Sequence, residues 1–392
     1  MKVLFLLPAA YPKGPASAKL VQRLAIGLTK TGVPCEVLCV QKDPQESETW
    51  RTDTYGIPYF GMNLGTGRLN KMISTLNFPN RIRRAVQEAI IHRGVTLVWI
   101  YNPSWFLWRQ AIAHCRKAKT PVVAHLVERW PFRWHLRTIY LDQQLFLLLS
   151  WRHLAGVVGI STPWMEYARA RHVPAIRIPV PIPPCTTPVP AQITTGKTFN
   201  LLYVGQLYRR DLPDIMLQAM HDLARRQAPV HLTVVGKHDV WPEGRSFYHA
   251  VQNDPVLKTY VHFTGYLTDQ EYEEQVSHAQ ALVLLHSDSS ESRSCFPSRL
   301  PEFLSTGRPV ITSGVGDIPL YLRNNVHAIL LSPRNSADEL VSAILRLAGN
   351  PQQATQMGID GRAHALEEFS PTNLGRSLES FLSGLEEHRK PD

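Results

Sequence analysis

The chain has 392 residues, 44% hydrophobic and 19% charged, which is enough apolar material for two cores and too much for a disordered polymer. No apolar run reaches the 18 residues of a membrane-spanning helix, five cysteines without a C-x-x-C pair read as inert reduced thiols, and 30 prolines with 23 glycines in no G-X-Y period exclude collagen. The formal charge is +10, yet residues 1–185 hold 24 Lys and Arg against 9 Asp and Glu, a net +15, whereas residues 186–392 come to −5. So one-sided a field attracts an anion: nucleic acid, a phosphorylated substrate or an anionic membrane surface.

In chain order, Val3-Leu4-Phe5-Leu6-Leu7 is too short for a secretory h-region and reads as a first buried strand. Apolar runs of strand length follow at 35–40, 96–101, 121–127 and 155–160. Helical patterns lie between them, such as residues 16–31 ended by Gly32. Ile178-Pro179-Val180-Pro181-Ile182-Pro183-Pro184, then Pro188 and Pro190, forbids helix and favours stiff extended chain. Beyond it, runs at 200–206, 230–236, 260–265, 281–286, 309–313 and 328–332 alternate with helical stretches. Thr268 with Glu271 forms a capping box, Gly307 ends one helix and Pro309 opens a strand.

This alternation predicts an α/β architecture of doubly wound parallel sheets. The boundaries are a first domain over 1–177, a Pro-rich linker over 178–198, a second domain over 199–370 and a helical tail over 371–392 that packs back across the first domain. In open parallel sheets, ligands sit at the carboxyl ends of the strands. Two Rossmann-like domains facing each other across a cleft would therefore bind their ligands there.

Several motifs fail. Gly196-Lys197-Thr198 looks like the end of a P-loop, but Ala191 stands where the first glycine belongs and no helix follows. The loop from Pro8 to Ala16 holds only Gly14, so the dinucleotide fingerprint is missing. No H-E-x-x-H, G-x-S-x-G or Asp-x-Asp occurs, and the sixteen histidines show no zinc spacing with the cysteines. No metal and no cofactor is expected.

Residues 281–320 carry the strongest signal: strand, polar loop, helix, strand and a glycine-containing loop. The loop Ser287 to Ser294 leaves the carboxyl end of a strand, and Cys295-Phe296-Pro297-Ser298-Arg299 begins a helix. Free N–H groups there suit an anion, and Arg299 adds a forked cation matched to a diphosphate. Glu302 either accepts the hydroxyls of a ribose or pairs with the helix dipole.

Phe296-Pro297-Ser298-Arg299-Leu300-Pro301-Glu302-Phe303-Leu304-Ser305-Thr306-Gly307-Arg308-Pro309-Val310 resembles the donor motif F-P-S-K-x-x-E-[YF]-[LM]-x-x-G-[RK]-P-V. That motif marks a branch of the GT-B-fold, retaining glycosyltransferases of family 4. The resemblance covers nearly the whole chain. Val204-Gly205, Val234-Val235-Gly236 and Val261 to Tyr266 are similar to the family's strand ends in the donor domain. Residues 155–161, Tyr101-Asn102-Pro103-Ser104 and Glu128-Arg129-Trp130-Pro131 are similar to its acceptor-side segments, and Phe369-Ser370 to the start of its tail.

The resemblance implies a GT-B fold and donor contacts from Gly205, Gln206, Tyr266, Ser294, Phe296, Pro297, Ser298, Leu300 and Glu302. Glu302 takes the ribose, and Arg209 or Arg210 together with Arg299 takes the pyrophosphate. Gln206 stands where the family has Arg, and Ser294 where its E-x7-E motif has the first Glu. Glu128 replaces the family's acceptor-side Asp, and catalytic roles fall to Glu128, Arg210 and Arg299. Gly14, Ser17, Tyr101, Asn102 and Trp130 line the acceptor side. Tyr266 is read as a base stack or as a buried aromatic, and His125 as a packed core residue.

The implied reaction is metal-independent, retaining transfer of a sugar from a nucleotide-diphosphate sugar to a saccharide or lipid-linked saccharide. Such reactions serve cell-surface polysaccharide or glycoconjugate synthesis. Basic residues interleaved with apolar ones at 68–84 and 129–137 suit contact with an anionic membrane, hence a cytoplasmic location at the inner face of the plasma membrane. No RNP, helix-turn-helix or zinc-finger pattern accompanies them, so nucleic acid is not expected. The alternatives are a non-catalytic nucleotide-sugar-binding protein, or an epimerase or hydrolase on the same fold.

Overall fold

The computed structural model describes residues 1–40, 48–63, 68–130, 132, 137–184, 198–334 and 336–387, with side chains omitted for 68–76 and 387. Two compact units result. One comprises Met1–Pro184, Ser294–Phe296 and Phe369–Asp392; the other comprises Cys185–Arg293 and Pro297–Glu368.

In the first unit the aliphatic runs become strands because parallel strands covered on both faces must be apolar throughout. The elements are β1 (Val3–Leu7), α1 (Ala16–Lys30), β2 (Cys35–Val40), β3 (Trp50–Thr52), β4 (Pro58–Met62), α2 (Arg68–His92), β5 (Leu97–Tyr101), α3 (Trp105–Lys117), β6 (Val122–Leu126), α4 (Arg137–Leu149), β7 (Gly156–Gly159), α5 (Thr162–Arg169) and β8 (Ala175–Arg177). All five residues of β1, β5 and β6 are buried. The sheet order is β3-β4-β2-β1-β5-β6-β7-β8, so the winding reverses between β1 and β5. Gly32 closes α1 at φ +90, the conformation glycine supplies at a helix end.

Three strands lie outside the apolar runs: β3 and β8, three residues each at the two edges of the sheet, and β4 beside β3; half-exposed residues break the pattern in all three. β3 pairs antiparallel with β4. The turn between them is held by Asp53, whose carboxylate accepts from the N–H groups of Tyr55 (2.8 Å) and Ile57 (2.9 Å). It also accepts from Tyr11 Oη (2.7 Å) and Gln22 Nε2 (2.8 Å).

The stretch 178–184, expected as the start of a linker, is part of the first unit. Ile178, Val180 and Ile182 alternate with prolines in extended chain, so their side chains fall on one face, and all three are buried. Arg23 Nη1 donates to Pro181 O (2.9 Å) and Ile182 N to Phe369 O (2.9 Å). Residues 185–197 lie outside the described residues.

The second unit runs β9 (Phe199–Val204), α6 (Pro213–Arg225), β10 (Val230–Val235), α7 (Pro242–Asn253), α8 (Leu257–Tyr260), β11 (Val261–Gly265), α9 (Asp269–His278), β12 (Ala281–Leu284), α10 (Ser290–Arg293), α11 (Arg299–Ser305), β13 (Val310–Ser313), α12 (Ile318–Tyr321), β14 (Ile329–Leu331), α13 (Ala337–Gly349) and α14 (Pro351–Glu368). Its sheet, β11-β10-β9-β12-β13-β14, is parallel throughout and reverses between β9 and β12. The capping box at α9 forms: Thr268 Oγ1 accepts from Glu271 N (3.3 Å), and Glu271 Oε2 accepts from Thr268 N (2.7 Å). Gly307, at φ +80, ends α11. Both units are thus Rossmann-like, doubly wound α/β sheets.

α15 (Pro371–Glu387) belongs to the first unit and crosses α1 at a glycine pair. A Cβ on Gly27 would collide with the carbonyl of Pro371, and one on Gly375 with the carbonyl of Gly27. Leu378 and Leu382 are fully buried below that crossing.

Candidate functional site

In the second unit the switch between β9 and β12 is where a ligand is expected. After β9 the chain passes Gly205 and Gln206, takes φ +51 at Leu207, makes a single 3-10 turn over Arg209–Asp211, and takes φ +54 at Leu212 before α6. Two leucines in the left-handed region cost about 1–2 kcal/mol each, so the surroundings must hold this turn. Tyr203 does so. Its hydroxyl donates to Asp211 Oδ2 (2.7 Å) and accepts from Leu207 N (3.1 Å). Asp211 also accepts from Tyr208 N (3.3 Å). Burial, together with the neighbouring Asp211 carboxylate, pushes the Tyr203 phenol well up, and burial raises Asp211 above the usual carboxylate range.

Arg210 is anchored across the switch. Its carbonyl accepts from Ser287 N (2.8 Å), at the start of the loop after β12, and its Nη1 lies 3.9 Å from Glu291 Oε1. Arg209 beside it is exposed. His286, at the end of β12, lies 3.8 Å from Asp211 Oδ1. Burial, with Arg210 adding to it, pushes that imidazole down to about 3, so at neutral pH it is a neutral packing and hydrogen-bonding group.

On α11, Arg299 and Glu302 sit one turn apart and both are half-buried. Tyr272 of α9 lies beside them. Burial and the Glu302 carboxylate push its phenol up to about 12, while Arg299 donates to the phenol oxygen and lowers it. Arg210 and Arg299 both act electrostatically on Asp211 and oppose its rise. Of the amides expected to face an anion, Leu300 N donates to Pro297 O (3.0 Å). That amide is satisfied within the turn, and the Leu300 side chain is fully buried.

A second cluster lies beyond β9, β10 and β11. Trp241 Nε1 donates to Gln206 Oε1 (3.3 Å), and the Tyr208 and Trp241 rings are 4.8 Å apart. Gln206 Nε2 is 3.5 Å from Tyr266 Oη, and Lys237 Nζ is 5.4 Å from the Tyr266 ring. Tyr266 is 67% exposed, so it is not a buried aromatic. Gly236, at φ +124, lets β10 pass the Gly205 carbonyl, with which a Cβ would collide.

The residues expected on the acceptor side lie beyond the carboxyl ends of β1, β5 and β6 in the first unit. Gly14 leaves no room for a Cβ against Ala10 O and the Ala18 methyl, and Ser17 is half-buried in α1. Tyr101 is buried, its phenol pushed up first by desolvation and then by Glu128. Asn102, at φ +61, donates its N–H to His125 O (3.0 Å) and accepts from Trp108 Nε1 (2.9 Å). Glu128 and Trp130 are tied together by buried Gln143: its Nε2 donates to Glu128 O (2.8 Å) and its Oε1 accepts from Trp130 N (3.0 Å). His125 is 1% exposed, with the Trp99 and Tyr101 rings edge-on at 5.5 Å. Burial lowers it to about 3.

Ser294 and Phe296 belong to the first unit. Ser294 O accepts from Ser161 Oγ (2.8 Å), and the Phe296 ring is 5.8 Å from that of Phe369. Both are buried, as is Pro297 in the second unit; Ser298 precedes α11 half-buried. Of the two basic segments, residues 131 and 133–136 and the side chains of 68–76 lie outside the described residues. Arg81 pairs with Glu48.

Tyr203, Asp211, Tyr272, Gln143 and His286 were not singled out from the sequence. A lone Tyr in the aliphatic run Phe199–Val204 was the one available hint. Among the described residues, no group of three or more His, Cys, Asp and Glu is placed to hold a metal ion, and no helix is long and apolar enough to cross a membrane.

Residues 198–350 match the family model of glycosyl transferases group 1, and residues 16–184 that of a glycosyl transferase 4-like domain. No curated protein matches in sequence. Among solved structures, sucrose-phosphate synthase from Thermosynechococcus elongatus is similar in fold: TM-score 0.73, 17% identity, covering 99% of this chain and 100% of that one. HepE from Anabaena in complex with UDP-glucose gives TM-score 0.69 at 16% identity, over 98% and 100% of the chains. A glycosyltransferase from Rickettsia africae gives 0.68 at 14%, over 98% of each.

Proposed function

This chain is a glycosyltransferase of the GT-B fold, and we propose that it is a family 4, retaining, metal-independent hexosyltransferase that moves a sugar from a nucleoside diphosphate to a saccharide or lipid-linked saccharide acceptor. The observation that carries this reading is the pinning of the Arg209–Asp211 turn to the loop after β12, through Ser287 N to Arg210 O (2.8 Å) and Arg210 beside Glu291 (3.9 Å), with Arg299 and Glu302 one helical turn apart on α11. Departure of a nucleoside diphosphate leaves negative charge on the pyrophosphate, and fixed guanidinium groups in a partly desolvated site stabilise it. Arg299, Arg210 and exposed Arg209 supply that charge. Glu302 accepts hydroxyls of the ribose. Tyr266, exposed between Lys237 and Gln206, offers a face for the base. In the first unit, Glu128, held by Gln143, is the proposed base toward the acceptor hydroxyl, with Gly14, Ser17, Tyr101, Asn102 and Trp130 around it. HepE, of the same fold, holds UDP-glucose, which makes UDP the first nucleotide to test.

One observation favours a second reading, nucleotide-sugar binding without turnover. Ser294, which stands in place of a carboxylate toward the transferred sugar, is buried with its carbonyl bonded to Ser161. A thermal-shift screen of nucleoside diphosphates separates the cases, because a ligand of the folded state raises its midpoint. A rise with UDP, GDP or dTDP, reduced in Glu302→Ala through an affinity loss of about 1.5–3 kcal/mol, supports the donor site. No rise with any of them refutes it. Sugar release without an acceptor product points away from transfer.

A further inference from the structure

Among the described residues of the first unit, five of the eight exposed large hydrophobics lie on α4. Leu141, Leu145 and Leu148 are 53%, 42% and 75% exposed, and Leu149 is 41% exposed. The first three, spaced i, i+4 and i+7, form one stripe along the helix. The opposite side is firmly packed: Gln143, Phe146 and Leu147 are buried. The stripe is therefore a fixed feature of a seated helix. At its amino end, Phe132 is 61% exposed and packs edge-on against Tyr140 at 5.5 Å.

Basic residues flank the stripe among the described residues. Arg137 stands exposed at one end of it and Arg152 just past the other, with exposed Arg116 and Lys117 at the end of neighbouring α3. Their proximity is felt by two histidines. His153 is held down by burial and then by Arg116 and Arg152, and His114 by burial and then by Arg83 and Lys117. Residues 105–153 contain eight Lys and Arg and two Asp and Glu. Neither acid lies on the stripe: Glu128 is in the loop held by Gln143, and Asp142 is turned inward to accept from Ser104 Oγ (2.6 Å) and Phe106 N (2.7 Å).

We propose that the Leu141–Leu145–Leu148 face of α4 is a membrane-docking surface that inserts into the headgroup–acyl boundary of a bilayer rich in anionic phospholipid. Leucines enter the apolar boundary while the surrounding guanidinium and ammonium groups meet lipid phosphates. A second copy of the chain fits this surface less well, since like-charged arginines would face one another across the pair. The inference deepens the proposed reaction by placing its acceptor at a lipid surface. It is tested without donor or acceptor, so its failure leaves the transfer reading intact.

The experiment is co-sedimentation of the full chain with vesicles of phosphatidylcholine alone, or mixed with phosphatidylglycerol, at low and high salt. Binding to the anionic vesicles should exceed that to phosphatidylcholine at least tenfold and fall with salt. The variant L141Q/L145Q/L148Q should lose at least tenfold in partitioning with its unfolding midpoint retained. The variant R116E/R152E, which leaves the leucines in place, should lose a similar amount. Equal binding to both vesicle types, no binding, or undiminished binding by the leucine variant overturns the proposal. So does a concentration-dependent dimer that the leucine variant abolishes, since that makes a second copy the occupant.

Discussion

Replacing Tyr203 by Phe isolates the interaction that holds the Arg209–Asp211 turn. The ring stays in its site, so packing volume is conserved. What is lost is one hydroxyl that donates to Asp211 at 2.7 Å and accepts from Leu207 N at 3.1 Å. Leu207 is fully buried, so its N–H is left without that partner, at about 1–3 kcal/mol, and a hydrogen bond to a carboxylate is removed, worth about 1.5–3 kcal/mol. Relaxation of the strained turn recovers part of this, leaving a net cost of about 2–4 kcal/mol. For a unit of this size that lowers the midpoint of thermal unfolding by roughly 5–15 °C. Because the same turn carries Arg209 and Arg210, UDP affinity should drop about tenfold, the equivalent of ~1.4 kcal/mol. Differential scanning calorimetry and isothermal titration of UDP read the two effects. An unchanged midpoint in a variant that binds UDP normally would show that something else holds the turn.

His125→Phe removes a buried imidazole that stays neutral in the folded state. With its folded value pushed down to about 3 and an unfolded value near 6.5, its contribution is fully present above pH 6.5 and is lost as pH falls toward 3, by ~1.4 kcal/mol per pH unit. Urea unfolding at pH 7 and pH 5 should show wild type losing ~2 kcal/mol more stability than the variant on going to pH 5; parallel pH dependence would contradict this. Gln143→Leu removes both clamps on the segment from Glu128 to Trp130. Amide exchange at Trp130 should speed up at least about tenfold, the equivalent of one lost hydrogen bond of ~1.4 kcal/mol, with UDP affinity unchanged. Equal protection in the variant would remove Gln143 from that role.

The central strands were legible because burial on both faces demands continuous aliphatic residues, although the equally long apolar run Leu145–Leu149 lies in α4. β3, β4 and β8 escaped because each buries only part of its surface, β3 and β8 at the sheet edges and β4 next to β3. The arginines and Glu302 could be read from residue type and motif. Their supports could not. Tyr203 reaches Asp211 only because Leu207 and Leu212 take left-handed backbone conformations, and no periodicity announces a left-handed leucine. Tyr272 and Arg299 meet across 26 intervening residues, a pairing set by how α9 and α11 pack. Prolines at 179, 181, 183 and 184 pointed to a stiff extended linker; the chain there is extended, and its apolar residues Ile178, Val180 and Ile182 are buried within the first unit.

The crossing of α15 over α1 has a bearing on biosynthesis. Residues 1–184 leave the ribosome first, but the groove beside Gly27 stays unfilled until residues 371–387 have been translated. The second unit, whose sheet spans 199–331, has all its strands long before then. The nascent chain is therefore expected to complete its later half ahead of its earlier one. A fragment ending at Pro184 would present the helix-binding face around Gly27 to solvent, and would need α15 supplied as a separate peptide to become compact.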